Sequence, residues 1–79
     1  MKPTLAKGRY RHYKGNDYRV IDLVRHSETE EWLVLYQPLY GEQDLWVRPY
    51  DMFVETVDIN GHPQPRFAFV GDDEGEFAL

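Results

Sequence analysis

The chain has 79 residues, a formal net charge of −5 and no cysteine. That length makes one domain with a single core and little room for a deep buried site. The missing cysteines exclude disulfides, cysteine-based zinc sites and thiol nucleophiles.

Taken in chain order, residues 1–7 read as a loose arm. They lack the apolar stretch of a signal peptide, and the absence of disulfide staples in so small a domain favours a cytoplasmic location. Gly8 to Tyr13 predicts a first strand, with Arg9, Arg11 and Tyr13 on one face and Tyr10 and His12 on the other. Gly15-Asn16-Asp17 signals a turn. Tyr18 to Arg25 predicts a second strand; plain alternation puts Val20 and Val24 with Tyr18, and Ile21 and Leu23 opposite. Apolar residues on both faces suggest a closed or strongly curved sheet. The polar stretch His26 to Glu31 leads to a third strand, Trp32 to Gln37, ended by Pro38.

A loop around Gly41 precedes a short fourth strand, Leu45 to Arg48, closed by Pro49. Residues 50–53 are the best candidate for a single helical turn. Val54 to Ile59 is extended, Asn60-Gly61 is a hairpin signal, and Arg66 to Val70 is expected to complete that hairpin after a delay at His62-Pro63-Gln64-Pro65. Residues 71–79 read as an acidic, disordered tail. No apolar run approaches the roughly 20 residues of a membrane span, and no sustained helical periodicity occurs. The expectation is an all-β domain over residues 8–70: a small SH3-like barrel of five to six short antiparallel strands, with at most one helical turn. An OB-type barrel fits less well, because it usually carries a real helix.

Several segments look familiar together: Gly8-Arg9-Tyr10-Arg11-His12-Tyr13-Lys14-Gly15-Asn16, Arg25-His26-Ser27-Glu28-Thr29, Tyr36 with Leu39-Tyr40-Gly41, Leu45-Trp46-Val47-Arg48-Pro49, Met52-Phe53, Glu55-Thr56-Val57 and Pro65-Arg66-Phe67. In order and spacing the chain resembles a bacterial family of short proteins known as domain-of-unknown-function family 1653. The resemblance covers nearly all of residues 8–67. It implies a compact, mainly β, SH3-like domain found in bacteria, and it names no catalytic residue.

Charge is spread unevenly. Residues 1–25 hold seven Lys and Arg against Asp17 and Asp22, whereas the remainder holds Arg48 and Arg66 against twelve carboxylates. Such asymmetry is either an interaction signal or a sign that the two segments neutralise each other in the fold. In the first hairpin Arg9, Arg11, Lys14, Arg19 and Arg25 interleave with Tyr10, Tyr13 and Tyr18, a pattern that could take nucleic acid, although the net negative charge opposes it. An enzyme reading would use His26 as a base with Glu28, and Arg25 as an anion clamp; the plainer reading is a polar loop in which Ser27 and Thr29 cap turn amides. No phosphate loop, cofactor fingerprint or metal-ligand spacing is present, so neither cofactor nor metal is expected.

The best-supported reading is a non-enzymatic binding or accessory module. Arg11, Arg25, Tyr40, Trp46 and Arg48 are its candidate contact residues, because aromatics beside Arg are typical of interface hot spots. A protein or peptide is the favoured partner and nucleic acid the less favoured one. The competing reading makes Trp32, Trp46 and Phe53 core, and by size alone Trp46 is expected to be mostly buried.

Overall fold

In the computed structural model, which describes residues 2–71, Val34, Tyr36 and Pro38 of the strand Trp32–Pro38 are buried, while Leu33, Leu35 and Gln37 between them are half-buried. This period-two pattern is that of a strand with one face on the core, and the strand is paired on both sides. Numbered in chain order, the elements are β1 (Gly8–His12), β2 (Asp17–Arg25), β3 (Trp32–Pro38), β4 (Trp46–Pro49), α1 (Tyr50–Phe53), β5 (Thr56–Ile59), β6 (His62–Pro65) and β7 (Phe67–Gly71). The fold is mainly β with one helical turn, as the alternation predicts. Of the expected tail, residues 72–79 lie outside the described residues.

Five strands form one antiparallel sheet in the order β4-β3-β2-β1-β7, and β5 and β6 form a separate hairpin. Among these strands β4 and β7 are the edges of the larger sheet. No ladder joins them, so the expected barrel is curled rather than closed by a hydrogen-bonded seam. Pro49 stops β4 after four residues and leads directly into α1, which delivers Phe53 to the core.

A bulge at Ile21 bends β2. Gly8 to Arg11 pair with Val20 to Asp17, while β3 follows β2 along its whole length, with a register shift between Val20 and Asp22. The extra residue puts Leu23 on the same face as Val20, opposite Val34. Plain alternation had assigned Leu23 to the other face; the bulge reverses that and lets one strand serve both halves of the curled sheet.

The return strand of the Asn60-Gly61 hairpin also differs from expectation. His62–Pro65 pairs with β5, whereas Phe67–Gly71 pairs with β1 in the larger sheet. Asn60 and Gly61 both have positive φ, 52° and 82°, which matches a type I′ turn. With a two-residue turn, Ile59 and His62 form the first hydrogen-bonded pair and Val57 and Gln64 the next. Pro63 and Pro65 fall between them, where an amide would point away from β5, so their missing N–H groups cost the ladder nothing.

The core is small and aromatic: Tyr10, Val20, Val34, Tyr36, Phe53 and Phe67, with Leu5, Tyr18, Leu23 and Tyr50 packed against it. Phe53 and Phe67 stack with centroids 4.1 Å apart. Tyr10 meets Phe53 edge-on at 5.5 Å, and Tyr36 does so at 5.6 Å. Residues before β1 lie along this body. The Tyr10 hydroxyl donates to the Ala6 carbonyl at 2.7 Å, and the Tyr50 hydroxyl to the Thr4 carbonyl at 3.1 Å. No helix among the described residues is long and apolar enough to cross a membrane.

Candidate binding cleft

Register brings four strand residues to one end of the sheet's inner face. Tyr18 lies opposite Pro38, and Tyr36 opposite Trp46. Arg48 lies opposite Val34 and so shares the face of Trp46. The loop after β3 then folds over this end. Its Leu39 amide donates to the Asp17 carbonyl at 3.0 Å, and the Gln37 side-chain amide donates to the Gln43 carbonyl at 2.8 Å. Gly41 and Gln43 adopt positive φ to make the bend.

The result is an open cleft of about 450 Å³, lined by Tyr18, Tyr36, Tyr40 and Trp46, with Arg48 on its wall and Glu42 and Asp44 in the loop at its lip. Tyr40 is fixed there by a 3.0 Å hydrogen bond between its hydroxyl and that of Tyr18, and the two rings meet edge-on at 5.8 Å. Trp46 is 56% exposed and Tyr40 48% exposed. The expectation of a buried Trp46 is therefore corrected: β4 is an edge strand, so nothing flanks the indole on its outer side. Of the three aromatics weighed as core, Phe53 is buried, Trp32 half-buried and Trp46 exposed.

Arg48 is the cation of the cleft. Its guanidinium lies 5.6 Å from the Phe67 ring centroid, and among the described residues it makes no ion pair. Its charge reaches two neighbours. Burial, then Arg66, Lys14 and Arg48, hold His12 below the ordinary histidine value. Burial and the hydrogen bond with Tyr40 push Tyr18 up to about 12, with Arg48 opposing. A phenol displaced in that direction is a poorer proton donor or acceptor near neutral pH. The cleft thus offers aromatic faces, one cation and two lip carboxylates.

The other sequence candidates lie elsewhere. Arg11 is on the outer face of β1 and grips Asp17 with two hydrogen bonds, at 2.8 Å and 3.2 Å. That contact holds Asp17 below the usual carboxylate range. Arg25 sits at the opposite end of β2 from Tyr18; it stacks over Trp32 at 4.6 Å and donates to the Glu30 carbonyl at 3.0 Å. His26 caps its own turn, its Nδ1 accepting from the Glu28 and Thr29 amides at 3.1 Å and 3.2 Å. That lone pair is already occupied, and the capping role given to Ser27 belongs instead to His26 and to Thr29, whose hydroxyl accepts from the Glu31 amide. Ion pairs Lys7 to Asp22 and Arg11 to Asp17 lie within the basic segment, and Arg66 to Glu55 lies within the acidic remainder.

Of the sequence candidates, Tyr40, Trp46 and Arg48 come together in this cleft, and Tyr18, Tyr36, Glu42 and Asp44, which are not among those candidates, line it beside them. The signal was the pairing of the two strands that Pro38 and Pro49 terminate, which composition does not reveal.

Comparison with known proteins gives a consistent picture. No curated protein matches the chain. A crystal structure of a DUF1653 protein from Bordetella bronchiseptica is 43% identical, covering 86% of this chain and 90% of that one, with a TM-score of 0.79. The model of the family described as "Protein of unknown function (DUF1653)" matches residues 8–69, which include β1, β2 and every described residue of the cleft, and on that match the chain belongs to the DUF1653 family.

Proposed function

We propose that this domain is a non-enzymatic binding module that takes an extended protein segment across the Tyr18, Tyr40, Trp46 and Arg48 cleft. The observation that carries the reading is the pair of exposed aromatics, Tyr40 and Trp46, beside a half-buried Arg48 with no ion-pair partner among the described residues. Aromatic faces contribute contact area at low entropic cost, and an arginine adds directional hydrogen bonds to carboxylates or main-chain carbonyls. The strand order supports an SH3-like reading: three central strands, a helical turn after the fourth strand, and a last strand returning to the first, with the β5 to β6 hairpin inserted between. Such folds bind peptides in aromatic grooves. Arg11 and Arg25 take no part in this site. Carboxylates at the lip, and the pairing of Arg11 with Asp17, argue against phosphate-rich ligands.

The test is a chemical-shift titration of isotopically labelled protein with extended peptides and with oligonucleotides, each at low and high salt. Shifts centred on Tyr40, Trp46 and Arg48 that survive salt and vanish in Trp46→Ala are expected. Salt-sensitive shifts confined to Arg9, Arg11 and Arg19 would overturn the reading in favour of nucleic acid.

A further inference from the structure

The segment Asp44-Leu45-Trp46-Val47-Arg48 reads as acid, aliphatic, aromatic, aliphatic, base. It is chemically self-complementary about Trp46 when run antiparallel to itself. From these residues we infer that β4 is the seat of a two-fold interface, in which the β4 edges of two copies of this chain pair antiparallel with Trp46 opposite Trp46. The inference rests on the reading of the cleft and its edge as a protein-contact surface, and it names the partner.

Three observations meet here. First, β4 is an edge of the five-stranded sheet, with backbone groups on one side unclaimed by any ladder among the described strands. Edges of this kind are ordinarily blunted by proline, lysine or a covering loop. The β6 edge is blunted that way by Pro63 and Pro65 within the strand, whereas the proline of β4, Pro49, stands at its last position, beyond the Asp44 to Arg48 stretch. Second, Leu45, Trp46 and Val47 are consecutive and all exposed, at 60%, 56% and 52%. In the two-fold register Leu45 of one copy lies against Val47 of the other, and the indoles meet at the axis. Third, Asp44 and Arg48 both line the cleft, and neither makes an ion pair among the described residues. The same register sets Asp44 of each copy against Arg48 of the other, so each Arg48 gains the ion-pair partner that it does not have among the described residues of the single chain. Opposite charges directly across a strand pair stabilise it and like charges destabilise it. A two-fold contact repeats each pair, so both charge pairs form or neither does.

One short strand per copy is less than the roughly 800 Å² per partner of a standard interface, so the dimer is expected to depend on concentration. The experiment is sedimentation equilibrium up to about 1 mM, on wild type, Asp44→Arg, Arg48→Asp, the double variant, and an equimolar mixture of the two single variants, with circular dichroism confirming that each is folded. Wild type is expected to approach twice the 9.4 kDa chain mass. Each single variant sets like charges opposite each other in its own homodimer and is expected to associate at least about tenfold more weakly. The double variant and the mixture restore opposite charges and are expected to regain association. A wild type that stays monomeric to the highest concentration, single variants that associate as well as wild type, or a mixture that stays monomeric would each overturn the inference. If wild type is monomeric while the peptide titration still moves Trp46, the cleft reading stands and its partner is a different protein; if neither occurs, both fall.

Discussion

Phe53 fills the centre of the core, buried on all sides, stacked on Phe67 and met edge-on by Tyr10 and Tyr36. Truncation there removes a whole ring from a closely packed aromatic cluster. Phe53→Ala is expected to cost about 3 to 5 kcal/mol in urea denaturation, which for a domain this small approaches the whole stability. Tyr18 gives a second measurement at this scale. Its folded value of about 12 lies above the ordinary tyrosine value of about 10, so the folded state holds the proton more tightly. The associated stability is complete below about pH 10 and is lost as pH rises through about 12. In an ultraviolet phenolate titration Tyr40→Phe should move Tyr18 back toward 10, because it removes the hydrogen bond; burial keeps part of the shift in place. At single residues the sequence was legible where size and chemistry decide, as for Phe53. It was silent where strand position decides: Trp46 is as large as any core residue and is exposed only because β4 has a neighbour on one side.

Between residues and molecule, the elements show two different kinds of failure of plain periodicity. The bulge at Ile21 carries no composition signal, since isoleucine is an ordinary strand residue, and only pairing with β3 reveals that Val20 and Leu23 share a face. In the second hairpin, by contrast, the turn was fully legible and the strand after it was not. Two prolines in four residues argue against a strand, yet β6 tolerates both because they fall at alternate, outward-facing positions. The turn itself is open to test. Gly61 has φ +82° and no atom within 4 Å of the position a Cβ would take, so a substitution there meets backbone strain and no clash. Gly61→Ala is expected to destabilise the domain by about 1 kcal/mol in thermal denaturation, whereas an alanine in an extended, unstrained position would be nearly neutral.

For the molecule as a whole, the all-β class and the helical turn at residues 50–53 followed from alternation and prolines, but the chain order of the sheet did not. The basic first hairpin, conspicuous in the sequence, is partly matched within itself by Asp17 and Asp22. The aromatic end of the sheet instead gathers the cations that hold His12 below its ordinary value: Arg66, Lys14 and Arg48, acting together with burial. The unfolded chain therefore takes up a proton at His12 before the folded one does, so stability is complete above about pH 6.5 and falls as pH drops through the lower folded value. Denaturation midpoints measured from neutral to mildly acidic pH should show this loss, and His12→Phe should remove the part due to that ring.

The pairing of β7 with β1 has a consequence for how the protein is made. Within this domain His12 leaves the ribosome well before its partner Phe67, which is 55 residues behind it. A nascent chain can close the β1 to β2 hairpin early, but Tyr10 and Phe53 wait for Phe67 to emerge before the aromatic cluster is complete. Contacts this distant in sequence slow folding and leave an incomplete sheet edge exposed in the interval. Synthesis stalled before residue 67 would hold the domain in that unfinished state, with the open side of β1 available to whatever meets the growing chain first.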